Sequence, residues 1–476
     1  MRRQDVSRWL PMGLCLLVVL WGLCWHWIRW GGDGWFYLAT GRWIWENRAL
    51  PESNVFAFST PLQVWSEQKW LACLGIYALD RALGPQGALV VLCLVAACAL
   101  GLAWACAERR SASPVVSAAL VLLGLLVVRW RLTARGETLG MILIAGVLYL
   151  VERHRRAGGI RVLWIAPITA LWANVHGSFY LGALIPGAVL GSEVLKRMAR
   201  KGDGLLNAQG LRTLAVATML AVAAMGAHPM GYQVIVHVAW QLGALHRVVD
   251  IWGPMDVHAT PDLWAGMYMV IVWVGLFLSG KKADWTDLIL LVPLGFEAMV
   301  SRRFIDLFVL VSLPMAAGHW DSILGRLKGA LDRAVVGWGM RMGMAGLGVA
   351  MMILPTSEHF PIVRQAGGAL EHLLAQEVEG NLFNYYTWGG YAIWRGYPRV
   401  KVFIDGRDEL YTNGVFEDYL HVMDARAGWE DILDIYEIRW VLLPNEPGIV
   451  TSLLEDRRWK VVYEDPGAVL MRREEG

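Results

Sequence analysis

Charged residues are scarce in this sequence. They make up only 18% of 476 residues, whereas a soluble globular protein has about 25%. Hydrophobic residues make up 56%, and the mean hydropathy is +0.42. Long apolar runs recur between residues 9 and 355. This composition excludes an ordinary soluble enzyme and predicts a polytopic α-helical membrane protein.

Net charge and cysteine are also limited. The formal charge is only +2, so the sequence offers no basic surface for nucleic acid, and we expect no nucleic-acid partner. None of the six cysteines lies after residue 106, and their spacing does not resemble a zinc site. The C-terminal part therefore has no disulfide, even if it faces an oxidising compartment.

Nucleotide and metal motifs are missing too. No glycine-rich phosphate loop opens a helix, which disfavours an ATP-driven transporter and a nucleotide-sugar enzyme. No cluster of metal ligands stands out, so we predict no cofactor and no metal ligands, and leave dependence on a metal open. We find no internal repeat and no low-complexity segment.

The apolar runs predict about eleven membrane spans. They are 9–28, 86–107, 113–129, 136–151, 162–175, 179–195, 213–227, 263–280, 285–300, 303–319 and 336–355. Arg2, Arg3 and Arg8 precede the first run as in a signal peptide, but no small-residue cleavage site follows, so we expect an uncleaved first helix. Lys and Arg concentrate in loops on one side, which predicts that the C-terminal part lies outside.

A long first outer loop, residues 29–85, follows the first span. Asp33 lies near the start of this loop. Trp35, Phe36, Ala39 and Trp43 share one face of a predicted helix that lies at the membrane interface. Residues 70–83 form a second apolar segment that is too short to span comfortably. A second outer loop covers about 228–262.

From residue 356 the composition becomes that of a soluble domain. Predicted helices at 369–378, 415–425, 429–436 and 448–456 accompany predicted strands at 401–404, 440–443, 460–463 and 469–472. The sequence therefore predicts two domains, a transmembrane domain at 1–355 and a small α/β domain at 356–476.

Several short motifs occur in a defined order. The first loop has an acid, an aromatic residue, Gly and Pro at Asp33, Tyr37, Gly41 and Pro51. Further motifs are Ala-Thr-Gly-Arg-Trp-Ile at 39–44, Trp-Ala-Asn-Val-His-Gly at 172–177, the segment 384–391, and Phe-Ile-Asp-Gly-Arg at 403–407. With the predicted topology, this order resembles the GT-C membrane glycosyltransferases, in particular the family 39-like enzymes and a bacterial GT-C-like subgroup.

The resemblance has two departures. Gly34 stands where the family usually has a second acid, and residues 65–71 replace a Lys-Pro-Pro-Leu-like segment ahead of the second interfacial helix. The protein O-mannosyltransferases and lipid A aminoarabinose transferases are the nearest named relatives by this pattern. Activity therefore depends on whether a single acid is sufficient.

The resemblance implies an inverting transferase that takes a sugar from a polyprenyl-phosphate donor, undecaprenyl phosphate in a bacterial inner membrane, with a periplasmic C-terminal domain. The acceptor is an unidentified lipid, glycan or protein. Asp33 would be the base that deprotonates the acceptor. The alternative is an ordinary turn residue, because Asp33 lies beside glycines.

Cationic side chains are needed where the phosphate leaves. Arg302 and Arg303 are the first candidates, and Arg129, Arg131 and Arg135 form a second predicted outer-face cluster. The alternative for each arginine is contact with head groups of the surrounding membrane lipids.

Four further residues are candidates for substrate binding: Tyr37, Glu67, Asn174 and His176. Glu67 is equally well explained as a charge at a helix N-terminus, and Asn174 and His176 as partners in interhelical hydrogen bonds. Residues 405–408 read first as a turn, and the aromatic residues of 384–391 read either as a domain core or as a sugar-stacking surface.

Two other functions stay open at this point. A flippase-like transporter would favour charges near mid-membrane and paired interrupted helices, which the sequence does not show. A non-catalytic scaffold would place recognition in the C-terminal domain and would not require Asp33.

Overall fold

The structure is a computed structural model that describes residues 30–61, 63–111, 113–199, 206–244, 253–256, 258–330 and 362–474. The predicted spans 9–28 and 336–355 lie outside the described residues. The described chain forms two compact units. Unit 1 lies within Leu89–Ser357, and unit 2 consists of Trp30–Ala88 together with the segment that begins at Glu358.

Helices dominate the described chain. They are α1 (Gly32–Asn47), α2 (Trp70–Arg110), α3 (Pro114–Val128), α4 (Gly136–Ala157), α5 (Ile165–Ala173), α6 (Leu181–Met198), α7 (Ala208–Ala224), α8 (Gln233–Ala244), α9 (Thr260–Leu278), α10 (Trp285–Val300), α11 (Ile305–Ala330), α12 (Ile362–Leu374), α13 (Gly389–Gly396), α14 (Val415–Met423), α15 (Trp429–Ile435) and α16 (Ile449–Glu455). The strands are β1 (Asn381–Asn384), β2 (Ile438–Pro444), β3 (Trp459–Glu464) and β4 (Ala468–Arg473).

Helices α3 and α11 form the centre of unit 1. Helix α3 is apolar on every side, and most of its residues are buried, as expected of a helix surrounded by others. A Cβ atom at Gly124 would lie 2.8 Å from Val309 Cγ1, so this glycine permits the close approach of the two helices. Helices α9 and α10 also pack against α11.

Four helical segments of the described chain are long and apolar enough to cross a membrane. They are Trp70–Arg110, Pro114–Arg131, Gly177–Met198 and Arg302–Leu327. Every predicted span that falls on described residues coincides with a helix, and a turn separates α5 from α6 where the sequence placed the junction of two spans. The total number of crossings stays a prediction.

The second predicted interfacial segment and the next span form the single element α2, which is broken at Gly84. This glycine has φ 72° and ψ 171°, which is not helical, and Pro85 follows it. Pro85 has no backbone N–H to donate and stands at the first position of the helical stretch that follows the break, where that donor is not needed. The chain passes from unit 2 into unit 1 close to this break.

Unit 2 is built on a four-stranded sheet with the order β1-β2-β4-β3. The first pair is parallel and the others are antiparallel, with Leu442 opposite Leu470. Helix α12 covers the sheet with buried Ala366, Ala369 and Leu370. Three predicted strands coincide with β2, β3 and β4, whereas β1 was not predicted.

The first loop pairs with this sheet. Val402 N donates to Phe56 O at 3.1 Å, and Phe58 N donates to Val402 O at 3.2 Å. Val402 also bridges to Leu382, so the predicted strand at 401–404 is reduced to isolated bridges. The sequence assigned this loop to the domain 1–355, whereas the structure groups it with the C-terminal segment, because pairings between distant residues join the two.

Helix α1 also differs from the predicted interfacial helix. Phe36, Leu38, Ala39 and Thr40 are all buried, and they point to different sides of the helix. Helix α1 packs against α13 within unit 2. Phe36 and Tyr37 therefore contribute to the core of this unit.

An ionic cluster fastens several helices of unit 1. Arg110 Nη1 donates to Asp287 Oδ1 at 2.8 Å, and Arg110 Nη2 donates to Glu152 Oε2 at 2.9 Å. Lys196 Nζ lies 2.6 Å from Asp284 Oδ1, which also accepts from Arg155 through its other oxygen. These pairs join the ends of α2, α4, α6 and α10.

We expect Arg110→Met to destabilise unit 1 by about 3–5 kcal/mol, because it removes the cation from the buried carboxylates of Asp287 and Glu152. Thermal unfolding in detergent micelles measures the loss. The control is Arg156→Met, whose half-exposed side chain also bonds Glu152 and is expected to cost no more than about 1 kcal/mol. Equal losses in the two variants would contradict this account.

Candidate functional site

The structure places some of the predicted site residues in one cluster in each unit. Unit 1 contains a pocket lined by Arg131 and Arg303, which we call the arginine pocket. Unit 2 contains Asp33 next to the turn at residues 405–407, which we call the Asp33 site. Each is described by itself.

The arginine pocket is partly open to solvent and contains about 460 Å³ of space not occupied by atoms, including solvent at its mouth. It is lined by Arg131, Glu137, His176, Gly177, Ser178, Tyr180, Val238, Gln241, Arg303, Phe304, Asp306 and Leu307. These residues come from the end of α3, the start of α4, the α5–α6 connection, α8 and the start of α11. The pocket therefore collects polar residues from the ends of apolar helices.

Arg131 is nearly inaccessible, with 3% of its surface exposed. Its Nε lies 3.7 Å from Asp306 Oδ2, which is an ion pair too long for a hydrogen bond. Within the part of the chain that the structure describes, neither Nε nor Nη1 has a hydrogen-bond acceptor. Buried donors are normally satisfied, so this guanidinium is suited to an anionic oxygen entering the pocket.

The remaining predicted arginines have other surroundings. Arg302 Nη1 lies 3.5 Å from Asp262 Oδ2, outside the pocket lining. Arg135 Nε lies 3.3 Å from Glu137 Oε2, and Arg129 is buried without lining the pocket. Of the five predicted arginines, the structure brings Arg131 and Arg303 to the pocket.

His176 and Asn174 also differ from each other. The backbone N–H of Ser178 donates to His176 Nδ1 at 3.2 Å, so a neutral imidazole carries its proton on Nε2, 3.8 Å from Glu137 Oε1. Asn174 Nδ2 instead donates to the carbonyls of Ala170 at 2.8 Å and Ala227 at 2.7 Å. These bonds match the structural alternative for Asn174, whereas His176 faces the pocket.

Asp33 lies in the first turn of α1, where the helix dipole favours a carboxylate. It is half-buried, and it occupies a helix and not the turn that the sequence offered as an alternative. An ideal Cβ atom at Gly406 would lie 2.5 Å from Asp33 Oδ1. The carboxylate therefore rests directly against the backbone of residues 405–407.

The turn at 405–407 is held by a buried ion pair. Arg407 donates to Asp405 Oδ1 from its backbone N at 3.0 Å and from Nε at 2.7 Å, and Arg407 Nη2 donates to Oδ2. Tyr411 also donates to Oδ2, at 2.7 Å. Burial alone would lower the pKa of the Arg407 guanidinium, but the Asp405 carboxylate raises it above its usual value, so Arg407 remains charged.

Three aromatic rings of the first loop surround the same guanidinium. The Arg407 Cζ atom lies 4.6 Å from the ring centre of Trp65 and 5.3 Å from those of Phe36 and Phe56. Such cation–π contacts strengthen when the cation is shielded from water. The ion pair therefore binds the first loop to the C-terminal segment inside unit 2.

Tyr386 completes the surroundings of Asp33. Its hydroxyl donates to Asp408 Oδ1. Burial, and then the negative charges of Asp408 and Asp33, raise the pKa of the Tyr386 phenol well above its usual value. The phenol stays protonated as a donor close to both carboxylates.

Comparison with known proteins identifies the fold. No protein-family model matches the sequence, and no curated protein matches it. Among solved structures, one similar protein is the oligosaccharyltransferase AglB from Archaeoglobus fulgidus, in complex with an inhibitory peptide and a dolichol-phosphate. The TM-score is 0.61 and the sequence identity is 10%, and the match covers 92% of this chain and 70% of that chain.

A second solved structure is similar over almost the full length. ArnT from Cupriavidus metallidurans, bound to undecaprenyl phosphate, matches with a TM-score of 0.56 and 14% identity, over 97% of both chains. Both neighbours are GT-C proteins. This chain has the GT-C fold. The resemblance seen in the sequence is thus confirmed for the fold.

Within this GT-C fold, two predicted binding residues are inaccessible. Tyr37 is 2% exposed and Glu67 is 1% exposed, so neither reaches a substrate in this arrangement. Glu67 Oε1 accepts from the backbone N of Lys69 at 2.9 Å, ahead of α2. This contact matches the alternative interpretation of Glu67 as a charge at a helix N-terminus.

Sequence reasoning missed Asp306, Gln241 and Gly406. Asp306 lies near the start of an apolar helix beside Arg303, and a carboxylate in that position was a usable signal. No local signal marked Gln241, and the motif at 403–407 indicated Gly406 only as part of a turn, because the neighbours of both residues in space are distant in the sequence.

Glu67 generates a pH prediction. Burial raises the pKa of Glu67, despite the opposing charge of Lys69, so the folded protein retains this proton to higher pH than the unfolded chain does. Stability therefore falls as the pH rises from the unfolded pKa of about 4.3 to the raised folded pKa. The unfolding temperature of Glu67→Gln should therefore rise above that of wild type as the pH increases through this range, and the two should not diverge at lower pH.

Thermal unfolding in detergent at a series of pH values measures this difference. The control is Glu46→Gln, whose exposed side chain should leave the curve unchanged. A constant difference between wild type and Glu67→Gln at every pH would contradict the assignment.

Proposed function

We propose that this protein is an inverting glycosyltransferase that moves a sugar from a polyprenyl-phosphate donor to an acceptor hydroxyl. The observation that carries the proposal is the half-buried carboxylate of Asp33, held at the start of α1 against residues 405–407 in a chain with the GT-C fold. We place the reaction at the outer face of a bacterial inner membrane, with the C-terminal segment in the periplasm.

The chemistry is a single displacement. The acceptor oxygen attacks the anomeric carbon, the bond from that carbon to the phosphate oxygen breaks, and its electron pair leaves with the lipid phosphate. Attack from the face opposite the leaving group inverts the anomeric centre. Asp33 accepts the proton of the acceptor hydroxyl as a general base.

The arginine pocket supplies the complementary chemistry. The departing lipid phosphate gains negative charge, and Arg131 and Arg303 offer guanidinium donors to its oxygens. The dolichol-phosphate of the AglB structure and the undecaprenyl phosphate of the ArnT structure support a donor of this class. The acceptor is a lipid, a glycan or a protein.

Asp33→Asn should reduce sugar transfer by about 10²–10⁴-fold, because the amide cannot accept the proton. Mass analysis of surface glycolipids, glycans and glycoproteins, in cells with wild type, Asp33→Asn or a deletion, measures the missing unit and the accumulated precursor. Protein levels in the membrane are measured in parallel. Asp424→Asn, an exposed acid in unit 2, is the control and should behave as wild type.

The contrary outcome is equally specific. If the deletion changes the glycan profile and Asp33→Asn restores it fully, Asp33 is not the base. A transport or scaffold function then replaces the transferase proposal.

Two neighbouring arginines test the donor site. Arg303→Ala should abolish stabilisation by added undecaprenyl phosphate and lower transfer by roughly 10²-fold, because Arg303 lines the pocket. Arg302→Ala should retain most of both, because Arg302 pairs with Asp262. Thermal shift with undecaprenyl phosphate in detergent measures binding. Equal loss in the two variants would argue against the pocket as the phosphate site.

A further inference from the structure

We propose that Gly406 is a positioning residue: because it has no side chain, the Asp33 carboxylate can lie against the turn in one particular orientation. This inference rests on the proposed function, because it gives Asp33 the role of base. Gly406 belongs to the motif at 403–407, and the sequence predicts only a turn at 405–408.

The contact between the two residues is direct. A Cβ atom at Gly406 would lie 2.5 Å from Asp33 Oδ1 and 3.6 Å from Asp33 Cγ, closer than such atoms approach in proteins. Leaving aside the chain neighbours Asp405 and Arg407, no other heavy atom of the described residues lies within 4 Å of that position. The backbone of Gly406 is not left-handed, so beyond those neighbours an alanine side chain there meets only the Asp33 carboxylate.

The backbone on which the Asp33 carboxylate rests is held by several buried hydrogen bonds. Asp405 and Arg407 are both buried and joined through several hydrogen bonds, and the Tyr411 hydroxyl also donates to the Asp405 carboxylate. Asn384 is fully buried, and its Nδ2 donates to Ile404 O at 2.8 Å. An added methyl group cannot displace this turn without breaking those bonds.

The backbone that carries Asp33 is also fixed. A Cβ atom at Gly390 would lie 2.4 Å from Gly32 O and 3.1 Å from Phe36 N, so α13 lies in close contact with the first turn of α1. With both backbones held, the remaining freedom is rotation of the Asp33 side chain. Gly406→Ala should therefore leave the fold intact and turn the carboxylate.

A general base depends on that direction. Its oxygen must lie within hydrogen-bond reach of the proton that it abstracts, and displacement of a reacting group by about 1 Å costs roughly 10²-fold in rate. Glycine at 406 allows the carboxylate to approach the turn and adopt one orientation. Any larger residue forces another.

The experiment compares Gly406→Ala, Asp33→Asn, the double variant and Gly367→Ala. Gly367→Ala is the matched control, because its Cβ would make only ordinary contacts, at 3.7 Å from Val363 and 3.8 Å from the Tyr391 hydroxyl. The first readout is the rate at which a carbodiimide and an amine label the Asp33 carboxyl in the full-length protein in membranes, measured by mass spectrometry. The second is the glycan unit lost in Asp33→Asn.

We expect Gly406→Ala to reach the membrane at the wild-type level, to change Asp33 labelling by roughly threefold or more, and to lower transfer by about 10²-fold. In the double variant, Gly406→Ala should add nothing to the loss caused by Asp33→Asn. Gly367→Ala should match wild type in both readouts. A purely structural role would not change Asp33 labelling at an unchanged protein level.

The opposing results are distinct. Wild-type transfer in Gly406→Ala, beside its loss in Asp33→Asn, overturns the positioning role and leaves the base in place. A similar loss in Gly367→Ala overturns the inference as well, because glycine replacement in general would explain it. Wild-type sugar transfer in Asp33→Asn overturns the proposed function itself. This result does not depend on any Gly406 variant.

Discussion

The organisation of unit 2 depends on the buried ion pair between Asp405 and Arg407. Both side chains are fully shielded from water, which carries a large desolvation penalty. The paired hydrogen bonds, the Tyr411 hydroxyl and the rings of Phe36 and Trp65 offset it. Because those rings belong to the first loop, the pair determines where that loop lies on the C-terminal segment. The location of Asp33 follows from it.

The buried charged groups of unit 1 differ in how closely they pair with opposite charges and in how many of their hydrogen-bond donors have an acceptor. Arg110 and Asp287 lie 2.8 Å apart with well-formed hydrogen bonds, as groups with a structural role should. In the arginine pocket, by contrast, Arg131 and Asp306 lie 3.7 Å apart, and two Arg131 nitrogens have no acceptor within the described part of the chain. Loosely paired charges beside an open volume provide room for a ligand oxygen, whereas tightly paired ones do not.

Local patterns in the sequence predicted much of the fold. Apolar runs indicated the positions of the helices of unit 1, and the strand-like segments 440–443, 460–463 and 469–472 indicated β2, β3 and β4. The candidate site was predicted in part, through Asp33, Arg131 and Arg303. Three features were not predictable from local patterns. The bridge from Ala57 to Val402 and the contact between Gly406 and Asp33 each join residues far apart in the chain. The burial of Glu67 likewise depends on how the chain packs around it. No local propensity encodes such pairs.

The departure at Gly34 has a physical explanation in the same terms. Gly34 is buried in the first turn of α1, so an acidic side chain there would lose much of its hydration on folding. Asp33, one residue earlier, is half-exposed and rests on the 405–407 turn. Asp408 accepts a hydrogen bond from the Tyr386 phenol, and the negative charges of Asp408 and Asp33 both raise the pKa of that phenol. The C-terminal segment thus brings a carboxylate of its own, Asp408, to the phenol that senses the charge of Asp33.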